Sequence, residues 1–268
     1  MSKLCVVVPT YNEAGTLPEL TAKIEEALRG RSFQLIVVDD SSPDGTARVA
    51  EQLNELYGNI VVRSRVKKSG LGSAIQDGLR AALSSGDMEN VVTLDADMSH
   101  DPNEIPKLLH ASHTADLVQG SRYMEGGRVM GWNFQRRMVS CVANLICRVL
   151  LGTSVHDCTG NFRVYSRKCA EAVVNSAGQT GFEWVVEALF IARKHRLTVK
   201  EVPITFLERK EGKTKLKGRE IVNWAFFTGK SLFSFKPFFS VPIHSHCAMN
   251  RSSALTLAAT APAASTTK

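Results

Sequence analysis

The sequence predicts an α/β protein with a mostly parallel sheet and helices on both of its faces. Two short apolar runs, Leu4 to Pro9 and Phe33 to Asp40, have the character of parallel strands buried on both sides. Each leads through a polar turn into an amphipathic stretch. The same alternation continues to Asn90–Leu94, and strands that alternate with helices build a parallel sheet.

In chain order, the first strand is followed by a helix from Thr16 to Leu28, with Thr16 as its N-cap and Glu19 completing a capping box three residues on. The second strand is followed by the turn Ser41-Ser42-Pro43-Asp44-Gly45 and a helix through Tyr57, with Asp44 as the cap. A strand from Ile60 to Arg63, a helix from Leu71 to Leu83 and a strand from Asn90 to Leu94 come next. Further strands are expected at Asp116–Gly120, Phe162–Ser166 and Leu197–Ile204, with a helix around Glu183–Lys194. Between Trp132 and Leu151, Met138, Val142, Leu145 and Val149 recur on one helical face, with Arg136, Arg137 and Arg148 nearby. Residues 1–222 are expected to form the α/β domain, 223–243 an amphipathic aromatic and basic segment, and 244–268 a disordered tail rich in Ala, Ser and Thr.

Composition excludes a fibre or a wholly disordered chain, since 44% of the 268 residues are hydrophobic and 22% charged. The formal charge of +7 favours an anionic partner, and the basic excess lies between Arg193 and Lys236. Net charge is the only feature that points to nucleic acid, so no nucleic-acid partner is expected. The six cysteines form no CxxC pair and no metal-ligand spacing, which fits free thiols in a reducing compartment. The strand-like opening leaves no room for a signal peptide, and no apolar stretch reaches the ~18 residues of a spanning helix. A soluble or peripheral protein is expected.

In open parallel sheets, ligands bind beyond the C-terminal ends of the strands. Three predicted strand ends carry polar clusters: Pro9-Thr10-Tyr11-Asn12-Glu13, Asp39-Asp40 and Asp95-Ala96-Asp97. One such Asp alone could simply be a turn former. Three at one edge suggest a site, because carboxylates there need a metal, a donor or solvent. Two hard carboxylate oxygens spaced i and i+2 suit Mg²⁺ or Mn²⁺ bridging a diphosphate.

The segments VVVPTYNEAGTL, IVVDDSSPDGT, LDADMSHDP, GSRYMEGG, DCTGNFRVYSR and KEVPITFLERKEGKTKL resemble, in order, those of family 2 glycosyltransferases with the Rossmann-like GT-A fold. Within that family the chain is most similar to the dolichol-phosphate mannose synthases, over roughly Lys3 to Ile221. The resemblance implies that GDP-mannose donates mannose to dolichyl or another polyprenyl phosphate, with Mg²⁺ or Mn²⁺ and inversion at the anomeric carbon. It implies that Pro9, Tyr11 and Glu13 line the base and ribose, that Val37 and Asp39 complete the base pocket, and that Asp95, Ala96 and Asp97 hold ribose, metal and diphosphate. Ser99 stands where some relatives have a metal-ligating Gln, so the metal set is Asp95, Asp97 and Ser99. Arg122 is expected on phosphate or sugar, and Arg209 and Lys215 on the diphosphate as a mobile loop hinged at Gly212. Thr214 before Lys215 departs mildly from the family's R-x-x-G-x-S-K pattern.

Physical chemistry agrees with those roles. A diphosphate carries more charge than one divalent ion cancels, which calls for Arg and Lys. A lipid phosphate is already ionised near neutral pH, so it can attack without a general base. Asp97, Arg122 and Arg136 are therefore the expected catalytic residues, the two arginines holding the acceptor phosphate against the donor. No histidine is given a role, and Asp157 is expected to order the loop beneath the acceptor site.

A lipid acceptor implies contact with a membrane surface. The Trp132–Leu151 helix and the aromatic, basic stretch Lys215–Phe239 are candidates, though both patterns also suit burial in a core. A peripheral protein on the cytoplasmic face is expected, at the endoplasmic reticulum in a eukaryote, with small membrane-anchoring subunits as possible partners. The alternative within the same chemistry is a polyprenyl-phosphate glucosyltransferase or another such enzyme using a UDP-sugar.

Overall fold

The computed structural model describes residues 4–208. The anticipated segments 223–243 and 244–268 lie outside the described residues, as do Arg209, Gly212 and Lys215. The elements in order are β1 (Leu4–Thr10), α1 (Leu17–Ala27), β2 (Phe33–Asp39), α2 (Thr46–Tyr57), β3 (Ile60–Ser64), α3 (Leu71–Ser84), β4 (Asn90–Thr93), α4 (Ile105–Ser112), β5 (Leu117–Ser121), β6 (Arg128–Met130), α5 (Phe134–Leu151), β7 (Arg163–Ser166), α6 (Arg167–Ser176), α7 (Trp184–Lys194), β8 (Val199–Pro203) and β9 (Thr205–Leu207).

Seven strands form one sheet in the order β3-β2-β1-β4-β7-β5-β8, and β6 and β9 form a small parallel pair. The strands run parallel except β7, which is antiparallel to both β4 and β5. The period-two alternation of side chains sorts β1 into two cores. Cys5 and Val7 pack with α3, α6 and α7, whereas Leu4, Val6 and Val8 pack with α1, α2 and α4. Contact between α3 and β1 is close: a Cβ at Gly78 would stand 2.3 Å from Val7 Cγ1, so only glycine fits there.

Several local expectations are corrected. Thr16 has helical backbone angles and makes no cap bond; its hydroxyl donates to Glu13 Oε2 at 2.8 Å, and Glu19 pairs with Lys23 instead. The N-cap of α2 is Gly45, in the left-handed region, while Asp44 Oδ1 accepts from Thr46 N at 3.0 Å. Four elements were not anticipated: α4, α6, β6 and β9. Pro102 and Pro106 stand in the first turns here, where proline is accommodated.

Of the two readings open for the helix α5, a core face and an outer surface, the structure shows the second for most of the apolar stripe. Asn144, Cys147 and Leu151 face inward, while Phe134, Met138, Val139, Val142, Leu145, Ile146 and Val149 are exposed. The apolar stripe seen in the sequence is therefore an outer surface. No helix of the described residues is long and apolar enough to cross a membrane. The five described cysteines are all free thiols.

Candidate active site

The parallel strands β1, β2 and β4 deliver their C-terminal ends to one edge, and the acidic turn Asp95–His100 follows β4 there. Met98 adopts a left-handed backbone (φ 63°), which folds the turn back. Asp97 is buried, and its Oδ1 accepts from Ser99 N at 3.0 Å and Ser99 Oγ at 2.5 Å. Ser99 is fully buried with its hydroxyl directed at Asp97, so in this structure it positions that carboxylate. Asp95 N donates to His100 Nδ1 at 3.2 Å, and Asn161 Nδ2 donates to Asp95 Oδ1 at 2.9 Å.

His100 is enclosed by Phe162 and Phe206, with ring centroids 5.2 and 5.3 Å away. Burial pulls its pKa below the ordinary value, although Asp95 and Asp97 pull the other way. The neutral ring accepts at Nδ1, so this histidine braces the acidic turn through the Asp95 main chain. Sequence reasoning assigned it no part in the site.

The donor set suits a hard divalent cation. Two carboxylates are offered, and among the described residues no group of three or more His, Cys, Asp or Glu could hold a metal. A Mg²⁺ or Mn²⁺ ion keeps most of its shell for phosphate oxygens and water, so two carboxylates suffice. Beside Asp95, Asn161 Oδ1 is a buried oxygen with no hydrogen-bond partner among the described residues. The residues present fit the ion.

On the expected base side, Asp39 is buried and accepts from Thr10 Oγ1 (3.1 Å), Ser42 N (2.9 Å) and Ser42 Oγ (2.5 Å). Ser42 Oγ also accepts from Asn12 N at 2.9 Å, and Thr46 Oγ1 accepts from Glu13 N at 3.0 Å. The loops after β1 and β2 are thus tied into one rim. Tyr11 is half-buried, with Lys68 Nζ 3.3 Å from its ring centroid. Asp40 accepts from Ser69 N, Gly70 N and Arg65, anchoring the loop that carries Lys68. Pro9 and Ala96 are buried at this edge. The Val37 side chain does not face a pocket: strand alternation places it, wholly buried, in the α1-side core.

Arg122 follows β5 and is also buried. Its Nε and one terminal nitrogen donate to the two oxygens of Asp157, each at 2.7 Å, and the same terminal nitrogen reaches Thr159 Oγ1 at 2.8 Å. Burial alone would raise the Asp157 carboxyl; the Arg122 charge and its hydrogen bonds outweigh that and hold it below the usual range. Burial likewise opposes the Arg122 charge, and Asp157 more than restores it. Motif position assigned Arg122 to the ligand; in the structure two of its guanidinium N–H groups go to Asp157 and one to Thr159.

Arg136 lies in the first turn of α5, whose N-cap Asn133 accepts its main-chain N–H at 2.9 Å. Its guanidinium sits 4.2 Å from the Trp132 ring centroid and 3.1 Å from Glu208 Oε1. Arg122 lies 5.6 Å from the same ring. Trp132 also stacks edge-on with Phe206, which neighbours His100. The two arginines are therefore brought together around one indole, whose buried Nε1–H has no partner among the described residues. Trp132 and Asn161 stand in this candidate site although no motif singled them out. Trp132 was counted only within an apolar helix, and Asn161 stood unremarked in the GNFR stretch.

This sheet, with its single reversed strand and acidic turn, is the GT-A architecture of sugar-nucleotide transferases. It superposes with a TM-score of 0.61 on glucosyl-3-phosphoglycerate synthase from Mycobacterium tuberculosis in complex with Mn²⁺, UDP and glucosyl-3-phosphoglycerate, at 20% identity over 87% of this chain and 79% of that one. The same synthase with Mg²⁺ and UDP gives 0.60. Residues 5–174 match the glycosyl transferase family 2 domain, and the chain belongs to that family. A dolichol-phosphate mannosyltransferase of Pyrococcus furiosus is 38% identical over 225 residues, 83% of this chain. The chain spans 61% of that relative's length. An undecaprenyl-phosphate mannosyltransferase of Micrococcus luteus is 36% identical over 217 residues, 81% of this chain and 88% of the relative.

Proposed function

We propose that the chain transfers mannose from GDP-mannose to a polyprenyl phosphate such as dolichyl phosphate, with inversion and with Mg²⁺ or Mn²⁺, at the cytoplasmic surface of a membrane. The observation that carries this reading is the pair of arginines around Trp132, joined to the acidic turn through Phe206 and His100. The names of the two mannosyltransferase relatives support it.

In this reading Asp95 and Asp97 would hold the cation, which would supply positive charge to the leaving diphosphate. Pro9, Tyr11, Glu13, Asp39 and Ala96 border the nucleoside, and Arg209 and Lys215 supply positive charge to the diphosphate. Arg122, made rigid by Asp157, sets one wall of the acceptor site. Arg136 has to leave Glu208 to meet the lipid phosphate. That exposed pair is worth at most about 1 kcal/mol, so a phosphate displaces it. The attacking phosphate oxygen is already ionised, and no side chain has to remove a proton. The exposed apolar face of α5 begins beside Arg136, which suits a bilayer that presents the phosphate there. Small membrane subunits are compatible partners for the same face.

The test is to incubate the protein with Mg²⁺ or Mn²⁺, radiolabelled GDP-mannose and dolichyl or undecaprenyl phosphate, and to extract the lipid. A lipid-soluble mannose product that disappears with Asp97→Ala is expected. Product from a UDP-sugar alone would favour the glucosyltransferase alternative, and unchanged turnover in Asp97→Ala would refute the metal mechanism.

A further inference from the structure

We propose that Asn161 belongs to the cation centre: its amide nitrogen holds Asp95, and its carbonyl oxygen accepts a hydrogen bond from a water ligand of the divalent ion. The inference rests on the metal-dependent reading above and adds to it a residue from the loop before β7.

The orientation of this amide is fixed by chemistry. Nδ2 stands 2.9 Å from Asp95 Oδ1, and reversing the amide would set two acceptors against each other at that distance. Oδ1 must therefore point away from that oxygen, and there it is buried without a partner among the described residues. Orphaned oxygens of this kind are rare in folded interiors and call for a ligand or a bound water.

The residue is not free to turn away. Its main-chain oxygen accepts from Thr93 Oγ1 at 2.7 Å, two residues before Asp95. Next to it, Gly160 O accepts from Gln119 Nε2 at 3.3 Å, and Gln119 is itself held by the buried Arg163 at 2.5 Å. Phe162 O on the other side accepts from Gly120 N at 2.8 Å. A buried, rigid, hard oxygen beside a carboxylate of the acidic turn matches what a hydrated Mg²⁺ or Mn²⁺ shell requires of its outer partners.

The full chain and its Asn161→Ala and Asn161→Asp variants would be titrated with Mn²⁺ by electron paramagnetic resonance. Saturating GDP or UDP, whichever the wild type binds more tightly, would be present throughout. Outer-shell partners typically set metal affinity by about 10- to 100-fold. Asn161→Ala is expected to bind Mn²⁺ at least about tenfold more weakly, with metal-free nucleotide affinity unchanged. Asn161→Asp keeps the oxygen and adds charge, and it replaces the donor to Asp95 by a second acceptor that only a cation can bridge. It is expected to bind Mn²⁺ as tightly as wild type or tighter, and to gain more in melting temperature from the ion.

Equal Mn²⁺ affinity in the Ala variant and wild type overturns the proposal. A comparable loss in Ala and Asp overturns the role of Oδ1 and leaves only the clamp on Asp95. If the Ala variant does not fold, a tenfold loss in the Asp variant overturns it alone. Failure of the wild type to bind Mn²⁺ defeats the metal reading itself, which separates the two cases without any measurement of transfer.

Discussion

Arg122 and Asp157 meet in a two-point, fully buried ion pair, with both carboxylate oxygens 2.7 Å from guanidinium nitrogens. Breaking a buried pair from one side costs roughly 3–5 kcal/mol, because the remaining charge has no solvent to turn to. Asp157→Asn is therefore expected to lose stability of that order at pH 7 in urea unfolding. The folded carboxyl is held low, so its contribution is complete above the unfolded value and is lost as pH falls through the folded one. The deficit of the variant should accordingly shrink in acid. A deficit that is the same at pH 7 and pH 3 would show that the pair is not its origin.

His100 gives a second, separate pH dependence. Burial depresses its folded pKa, so between that value and about 6.5 the unfolded chain binds the extra proton. Stability should be level above that window and decline as pH falls through it, by up to about 1.4 kcal/mol per unit. His100→Gln should remove the decline between pH 7 and pH 5. Denaturation midpoints at several pH values check this, and an unchanged slope in the variant would count against a neutral His100.

Trp132→Phe keeps an aromatic ring beside both arginines and deletes the Nε1–H that has no partner among the described residues. If that donor meets the acceptor phosphate, KM for the lipid phosphate should rise about tenfold, the scale of one hydrogen bond to a charged group. KM for the donor should stay put. A rise confined to the donor would place the indole on the other substrate.

The outer face of α5 predicts lipid binding. Val142 and Val149 are 48% and 63% exposed, so Val142→Glu and Val149→Glu should change folding stability by no more than about 0.5 kcal/mol. Flotation with anionic liposomes should nevertheless fall. Flotation equal to wild type would mean that another surface carries the contact.

How much of this was legible in the sequence depended on how local each cause was. Leu4–Thr10 and Phe33–Asp39 announce themselves because a strand buried on both faces has to be apolar throughout. The acidic turn was legible for the same reason, since Asp95 and Asp97 interrupt such a run at its end. The direction α5 faces was not, because Met138, Val142, Leu145 and Val149 have the same spacing whether a core or a bilayer covers them. Nor were the partners Asp157 and Asn161, which lie 35 residues from Arg122 and 66 from Asp95. Only the pairing of β7 between β4 and β5 brings those distances to hydrogen-bond length. Val37 shows the converse: a matching motif position whose side chain is claimed by the core.

The reversal of β7 has a consequence for how this protein can change. A parallel strand delivers to the active edge the loop at its C-terminal end, whereas β7 delivers the loop at its N-terminal end, residues 157–162. The two ends of that one strand therefore live under opposite rules. An insertion after Ser166 would lengthen a remote corner of the molecule, but a single residue added before Arg163 would shift Asp157 and Asn161 out of register with Arg122 and Asp95 together. Loop grafting aimed at a new acceptor should leave that short arc untouched and be directed to the α5 surface.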